Sequence, residues 1–140
     1  MKKLISSLLA CIMLFSCCSS AVAVGIDIYA SLTLSIASAS ASTGTNSGEV
    51  IISYRSRANK TSSPVGVSSI AIYKADGTYV TTIRGTTSNG LMANNATVKN
   101  GTYKYKGTSG TSYYAKVTIS ATAGGESDSR TITTNTARAK

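Results

Sequence analysis

Histidine and tryptophan are missing from the chain altogether, and the one phenylalanine, Phe15, sits near the N-terminus. Without histidine there is no imidazole to act as general base in a nucleophilic triad or to hold a metal. All three cysteines, Cys11, Cys17 and Cys18, fall in the first eighteen residues. Acids are scarce as well: Asp27, Glu49, Asp76, Glu126 and Asp128 face fourteen Lys and Arg. A hard cation such as calcium takes six to eight oxygens, more than Glu126 and Asp128 of one hairpin supply. No acid–base constellation is visible, and although Ser and Lys abound, no local pattern singles out a Ser–Lys dyad. The expectation is a protein without catalytic residues, cofactor or metal.

What is present begins with "MKKLISSLLACIMLFSCCSSAVAV". Lys2 and Lys3 form a charged start, and Leu4 to Phe15 is an apolar run too short to span a bilayer as a helix. Small residues follow, with Ala21-Val22-Ala23 as an A-x-A cleavage site. This three-part pattern predicts a secretory signal over residues 1–23 and a secreted, extracellular chain starting at Val24. Cleavage there removes every cysteine and leaves no disulfide or thiolate. An alternative reading takes Leu14 to Cys17, "LFSC", as a lipobox. The chain would then be lipid-anchored through Cys17. No transmembrane helix is expected in the mature chain.

Cleavage after Ala23 leaves roughly 117 residues, enough for a single domain with its own core. That domain is predicted over 24–140, with 24–31 as a flexible start. Lacking Phe and Trp, its core must come from Val, Ile, Leu and Tyr. The formal charge is +9 for the whole chain and about +7 once Lys2 and Lys3 are gone. A basic surface favours anionic partners, here a cell-wall polymer or an acidic glycan. The basic residues are scattered without a run, which favours solubility alone as the role of the charge; nucleic acid is disfavoured as a partner.

The patterning is that of strands. Leu32, Leu34 and Ile36 alternate with polar residues and lead into an Ala/Ser stretch. "TGTNSG" then supplies turn chemistry, and Val50, Ile52 and Tyr54 alternate with outward Arg55 and Arg57. A long antiparallel hairpin is the reading. Asp76-Gly77 predicts a two-residue type I′ turn. It would set Ile72 opposite Thr81 and Ile70 opposite Ile83, with Tyr73 and Val80 sharing the other face. Asn89-Gly90 and Asn100-Gly101 mark further turns. In "GTYKYKG", Tyr103 and Tyr105 face one way and Lys104 and Lys106 the other. Tyr113, Ala115, Val117, Ile119 and Ala121 form one face of a strand whose other face carries Tyr114, Lys116, Thr118 and Ser120. Gly124-Gly125 turns the chain back. About seven short strands with turn signals between them argue an all-β antiparallel sandwich.

"GTSYYAKVTISATAGGESDSRTITT" resembles the last two strands of a fibronectin type III or immunoglobulin-like domain. Gly110, Thr111 and Tyr113 match the opening of the penultimate strand. Ala115, Val117 and Ile119 match its inward positions, and Gly125-Glu126-Ser127 the hairpin. The buried Trp and inter-sheet cysteines common in such domains are absent. The resemblance implies an immunoglobulin-like β-sandwich in which Tyr113 is buried, with its hydroxyl bonded to backbone upstream. It implies the role of a small secreted or surface module: spacing, adhesion or glycan binding.

The function expected is therefore a non-catalytic structural or adhesive module. The alternative is a soluble binder of anionic wall polymer or glycan. Tyr103, Tyr105 and Tyr113 read as core. Tyr114 reads as an exposed contact, with Lys116, Lys104, Lys106, Arg55 and Arg57 as the cations that would meet an anionic ligand. A Lys–Asn cross-link of the kind found in some bacterial adhesins would draw on Lys60, Lys74 or Lys116 with Asn135 and Glu49.

Overall fold

Alternating inward and outward residues can bury only one face of a sheet, so two such sheets must cover each other. A computed structural model describes residues 33–140, which form one unit from Thr33 to Lys140. The predicted leader, the alternative lipidation at Cys17 and the segment 24–31 lie outside the described residues.

Nine strands occur among them: β1 (Leu34–Thr43), β2 (Glu49–Ser62), β3 (Val65–Lys74), β4 (Tyr79–Arg84), β5 (Met92–Ala93), β6 (Ala96–Lys106), β7 (Ser112–Ala123), β8 (Glu126–Thr133) and β9 (Ala137–Arg138). Seven are substantial. β5 and β9 are two-residue pairings on β3 and β7. One sheet has the order β1-β2-β6 and the other β4-β3-β7-β8. Every pairing is antiparallel. The chain is an all-β antiparallel sandwich.

The core draws on both sheets: Val50, Ile52 and Tyr54 from β2, Ile70 and Ile72 from β3, and Val117 and Ile119 from β7. All five inward positions expected on β7 are buried, with Tyr113 only 3% exposed. Fully burying a side chain of this size contributes about 1.5–3 kcal/mol. β7 lies between β3 and β8 in its sheet and so anchors the structure. Tyr103 and Tyr105 are half-buried and pack on the core, Tyr105 edge-on to Tyr113 at 5.3 Å.

β1 is an edge strand, and the sandwich closes its open side with side chains. The Asn135 carboxamide accepts the Ala41 N–H at 2.9 Å and donates to the Ala41 carbonyl at 2.7 Å. It does there what a neighbouring strand would do. At the other end, Asp128 accepts the Leu34 N–H and Arg130 donates to the Leu34 carbonyl at 2.8 Å. These contacts blunt an edge that would otherwise template foreign pairing.

Four local expectations change. The Asp76 turn is not type I′, because Asp76 does not take positive φ; only Gly77 does, at 90°. Gly77 donates to the Lys74 carbonyl, and Lys74 donates to Thr78. That is a longer loop closed by a left-handed glycine. Tyr73 consequently pairs with Tyr79, and a bulge then restores Ile72 to Thr81 and Ile70 to Ile83 as expected. Val80 does not share Tyr73's face and packs on the core instead. Asn100-Gly101 is no turn but the middle of β6, opposite Arg55 and Tyr54. In β1 a bulge after Leu34 exchanges the faces, so Ala37 and Ala39 point to the core and Ile36 does not.

Candidate functional site

The six polar and aromatic residues singled out from the sequence divide between the two outer faces of the sandwich. On the smaller sheet, Arg55 stands between Ser38 and Asn100, and Arg57 between Ile36 and Val98. Lys104 lies opposite Ile51, and Lys106 opposite Glu49. Glu49 tempers this charge. Its carboxylate accepts from the Asn46 side chain at 2.8 Å and the Thr45 backbone at 3.2 Å, and pairs with Lys104 at 3.8 Å. The Asn46 and Thr45 hydrogen bonds, ahead of Lys104, hold its pKa below the usual carboxylate value despite the opposing effect of burial. A shallow depression on this face is lined by Ser38, Ala39, Ser40, Ser53, Tyr54 and Arg55.

Tyr114 and Lys116 lie on the outer face of the other sheet, so no ligand contacting them reaches the four cations above on the same surface. There Tyr114 completes a row that the sequence reading missed. Pairing puts Tyr79 of β4, Tyr73 of β3 and Tyr114 of β7 side by side across three strands. Tyr73 and Tyr114 stack, with centroids 5.2 Å apart and planes 12° from parallel. Tyr79 meets Tyr73 edge-on at 5.7 Å and is 56% exposed, its hydroxyl donating to Thr82 Oγ1. The Lys116 ammonium sits 5.2 Å from the centre of the Tyr73 ring, a cation–π distance.

The next row across the sheet runs Thr82, Ala71, Lys116 and Thr133. The one after it runs Arg84, Ser69, Thr118 and Thr131. Ala71 is the smallest side chain beside the tall tyrosine row. The arrangement is an aromatic row beside two rows of small and hydroxyl side chains that also carry Lys116 and Arg84. Cross-strand aromatic pairs stabilise a sheet by about 0.2–1 kcal/mol each. That accounts for the stacked pair but does not call for the exposed ring of Tyr79. The signal that would have found the row was the outward position of Tyr73. What hid it was the loop length that set Tyr79 rather than Val80 across from it.

Three of the groups named for a Lys–Asn cross-link have other partners. Asn135 is engaged with Ala41, Glu49 with Thr45 and Asn46, and Lys116 with Tyr73. Among the described residues no group of three or more His, Cys, Asp or Glu is placed to hold a metal ion. Nor, among them, is any helix long and apolar enough to cross a membrane.

No family model matches the chain, and no curated protein matches it. Among solved structures it is similar to a crystal structure of a Parabacteroides merdae β-glucuronidase. The identity is 12% and the TM-score 0.40, over 71% of this chain and 13% of that one. The likeness is too distant to bear on the chemistry of this chain, which corresponds to a small part of that protein.

Proposed function

We propose that this chain is a non-catalytic, secreted or cell-surface module of the immunoglobulin and fibronectin type III kind that adheres to extracellular glycan. The observation that carries the reading is the row Tyr79–Tyr73–Tyr114 on a face that no described strand covers. Tyrosine combines a broad apolar ring with a hydroxyl. The ring can stack on the C–H face of a sugar, and the hydroxyl can exchange hydrogen bonds with it. Export rests on the leader pattern that ends at Ala23, with lipid attachment at Cys17 as its alternative.

Two features support the kind of sandwich. If β5 is set aside as a two-residue bridge, the first, second and fifth strands form one sheet. The third, fourth, sixth and seventh form the other. An immunoglobulin-like domain distributes A, B and E against C, C′, F and G in this way. At the start of the sixth, β7, the buried Tyr113 accepts the Thr108 N–H at 2.9 Å, five residues upstream, in the position of a tyrosine corner.

A second reading is favoured by Arg55, Arg57, Lys104 and Lys106 on the smaller sheet. They would hold an anionic wall polymer by charge alone. Retention on isolated cell wall at low and high salt separates the two, because the screening length falls from about 10 Å at 0.1 M to about 3 Å at 1 M. Stacking on the tyrosines predicts that much of the binding survives 1 M salt and that Tyr79→Ser weakens it. Complete release at 1 M, with Tyr79→Ser binding like wild type, would transfer the function to the basic face. Absence of binding at either salt would leave a purely structural module.

A further inference from the structure

We infer that the tyrosine face is built for a sugar ring that carries a carboxylate, with Lys116 as the residue that reads the charge. This deepens the glycan reading above and rests on it. The outward positions of the larger sheet are, beyond the tyrosine row, Thr82 and Arg84 on β4, Gly66, Ser69 and Ala71 on β3, Ser112, Lys116, Thr118, Ser120 and Thr122 on β7, Ser127, Ser129, Thr131 and Thr133 on β8, and Arg138 on β9. They hold three cations and no acid. The described acids are placed elsewhere. Glu49 belongs to the other sheet. Asp76 accepts the Thr78 N–H within its own turn, and Asp128 accepts the Leu34 N–H on the far side of β8. Glu126 begins β8 beside the Gly124-Gly125 turn. Among the described residues none of Lys116, Arg84 and Arg138 makes an ion pair; the Arg138 guanidinium donates to the Gly110 carbonyl at 3.0 Å.

Lys116 is nevertheless held in place. Its stem rises from the row containing Ala71, and its ammonium reaches back to the Tyr73 ring at 5.2 Å. Adjacent strands are about 4.8 Å apart, and same-face residues on one strand about 7 Å. A pyranose ring lying over Ala71 and against the tyrosine row therefore brings a ring substituent within reach of that ammonium. The aromatic row supplies contact for any sugar. The unanswered, positioned cation beside it adds a preference for one that is charged. An exposed or half-exposed ion pair of this kind changes affinity by up to about fivefold. The preference is therefore graded, not absolute.

The test measures binding of the purified protein to three soluble probes: an oligogalacturonate, the same oligomer fully methyl-esterified, and a polyglycerol phosphate. The inference predicts that the free acid binds about three- to fivefold more tightly than the ester. Lys116→Gln should erase that difference, and Tyr79→Ser should weaken both sugars. The phosphate polymer, which has charge but no ring, should bind far more weakly. Equal binding of acid and ester by the wild type would overturn the inference and leave the glycan reading standing. If neither sugar binds, both fail. Polyglycerol phosphate binding as tightly as the free acid would show that charge alone suffices and would also overturn it. So would a dimer in sedimentation that Tyr79→Ser dissociates, because the face would then be covered by a second copy.

Discussion

The Tyr113 hydroxyl accepts the backbone N–H of Thr108 at 2.9 Å and ties the start of β7 to the loop that leads into it. The same ring packs so closely on Gly107 that a Cβ there would fall 2.7 Å from it. Removing the hydroxyl alone, as Tyr113→Phe, is expected to cost about 1 kcal/mol, the net worth of one hydrogen bond. Tyr113→Ala also removes the buried ring and should cost about 3 kcal/mol or more. Tyr114→Ala, on the opposite face, should cost clearly less. Urea denaturation midpoints order the three variants. A larger loss for Tyr114→Ala than for Tyr113→Ala would contradict the burial described here.

Two glycines answer to different physics and should fail differently. Gly77 holds φ at 90° with no atom within 4 Å of a Cβ built there, so only backbone strain opposes a side chain. Gly77→Val is expected to cost about 1 kcal/mol or more wherever else the turn is altered. At Gly101 the obstacle is steric: a Cβ would lie 2.6 Å from the Tyr54 hydroxyl. Gly101→Ala should cost about 1–3 kcal/mol from overpacking, and less in a Tyr54→Phe background. Independent, additive effects of Gly101→Ala and Tyr54→Phe would show that the contact does not set the cost.

Acid should weaken the fold in a defined window. The hydrogen bonds from Asn46 and Thr45, then the charge of Lys104, lower the Glu49 pKa from its ordinary 4.5, outweighing burial. The Thr78 backbone hydrogen bond does the same for Asp76, from 3.8. In that window the unfolded chain binds more protons than the folded one, so stability rises with pH. The contribution is complete above the unfolded values and is lost as pH falls through the folded ones. Thermal midpoints should thus be flat above about pH 5 and drop below it. Glu49→Gln should shrink the drop, and Asp76→Asn should shrink what is left. A slope unchanged by both substitutions would contradict the assignment.

Much of this fold was legible because period-two alternation is a local property. It placed all five inward residues of β7 and the inward Val50, Ile52 and Tyr54 of β2 correctly, as well as the outward arginines and lysines. What failed depends on events at single residues or on partners distant in the chain. Asn100-Gly101 carries a turn's composition, but the glycine is there to receive the Tyr54 ring from the neighbouring strand. One bulge reassigns Ile36, and another decides that Tyr79 rather than Val80 stands beside Tyr73. Alternation tells which side of a strand faces out, but not which sheet the strand joins. For that reason the alternation does not separate Arg55, Arg57, Lys104 and Lys106 from Tyr114 and Lys116, although the sandwich sets them on opposite faces.

The location of the ligand is the most direct check of the account. Amide chemical-shift changes in ¹⁵N-labelled protein titrated with oligogalacturonate report it residue by residue. The tyrosine face predicts that the changes concentrate at Ala71, Tyr73, Tyr79, Tyr114 and Lys116, and that Tyr79→Ser moves them to higher oligomer concentration while the rest of the spectrum is kept. Changes concentrated instead at Ser38, Ser53 and Arg55, or none at saturating oligomer, would contradict it.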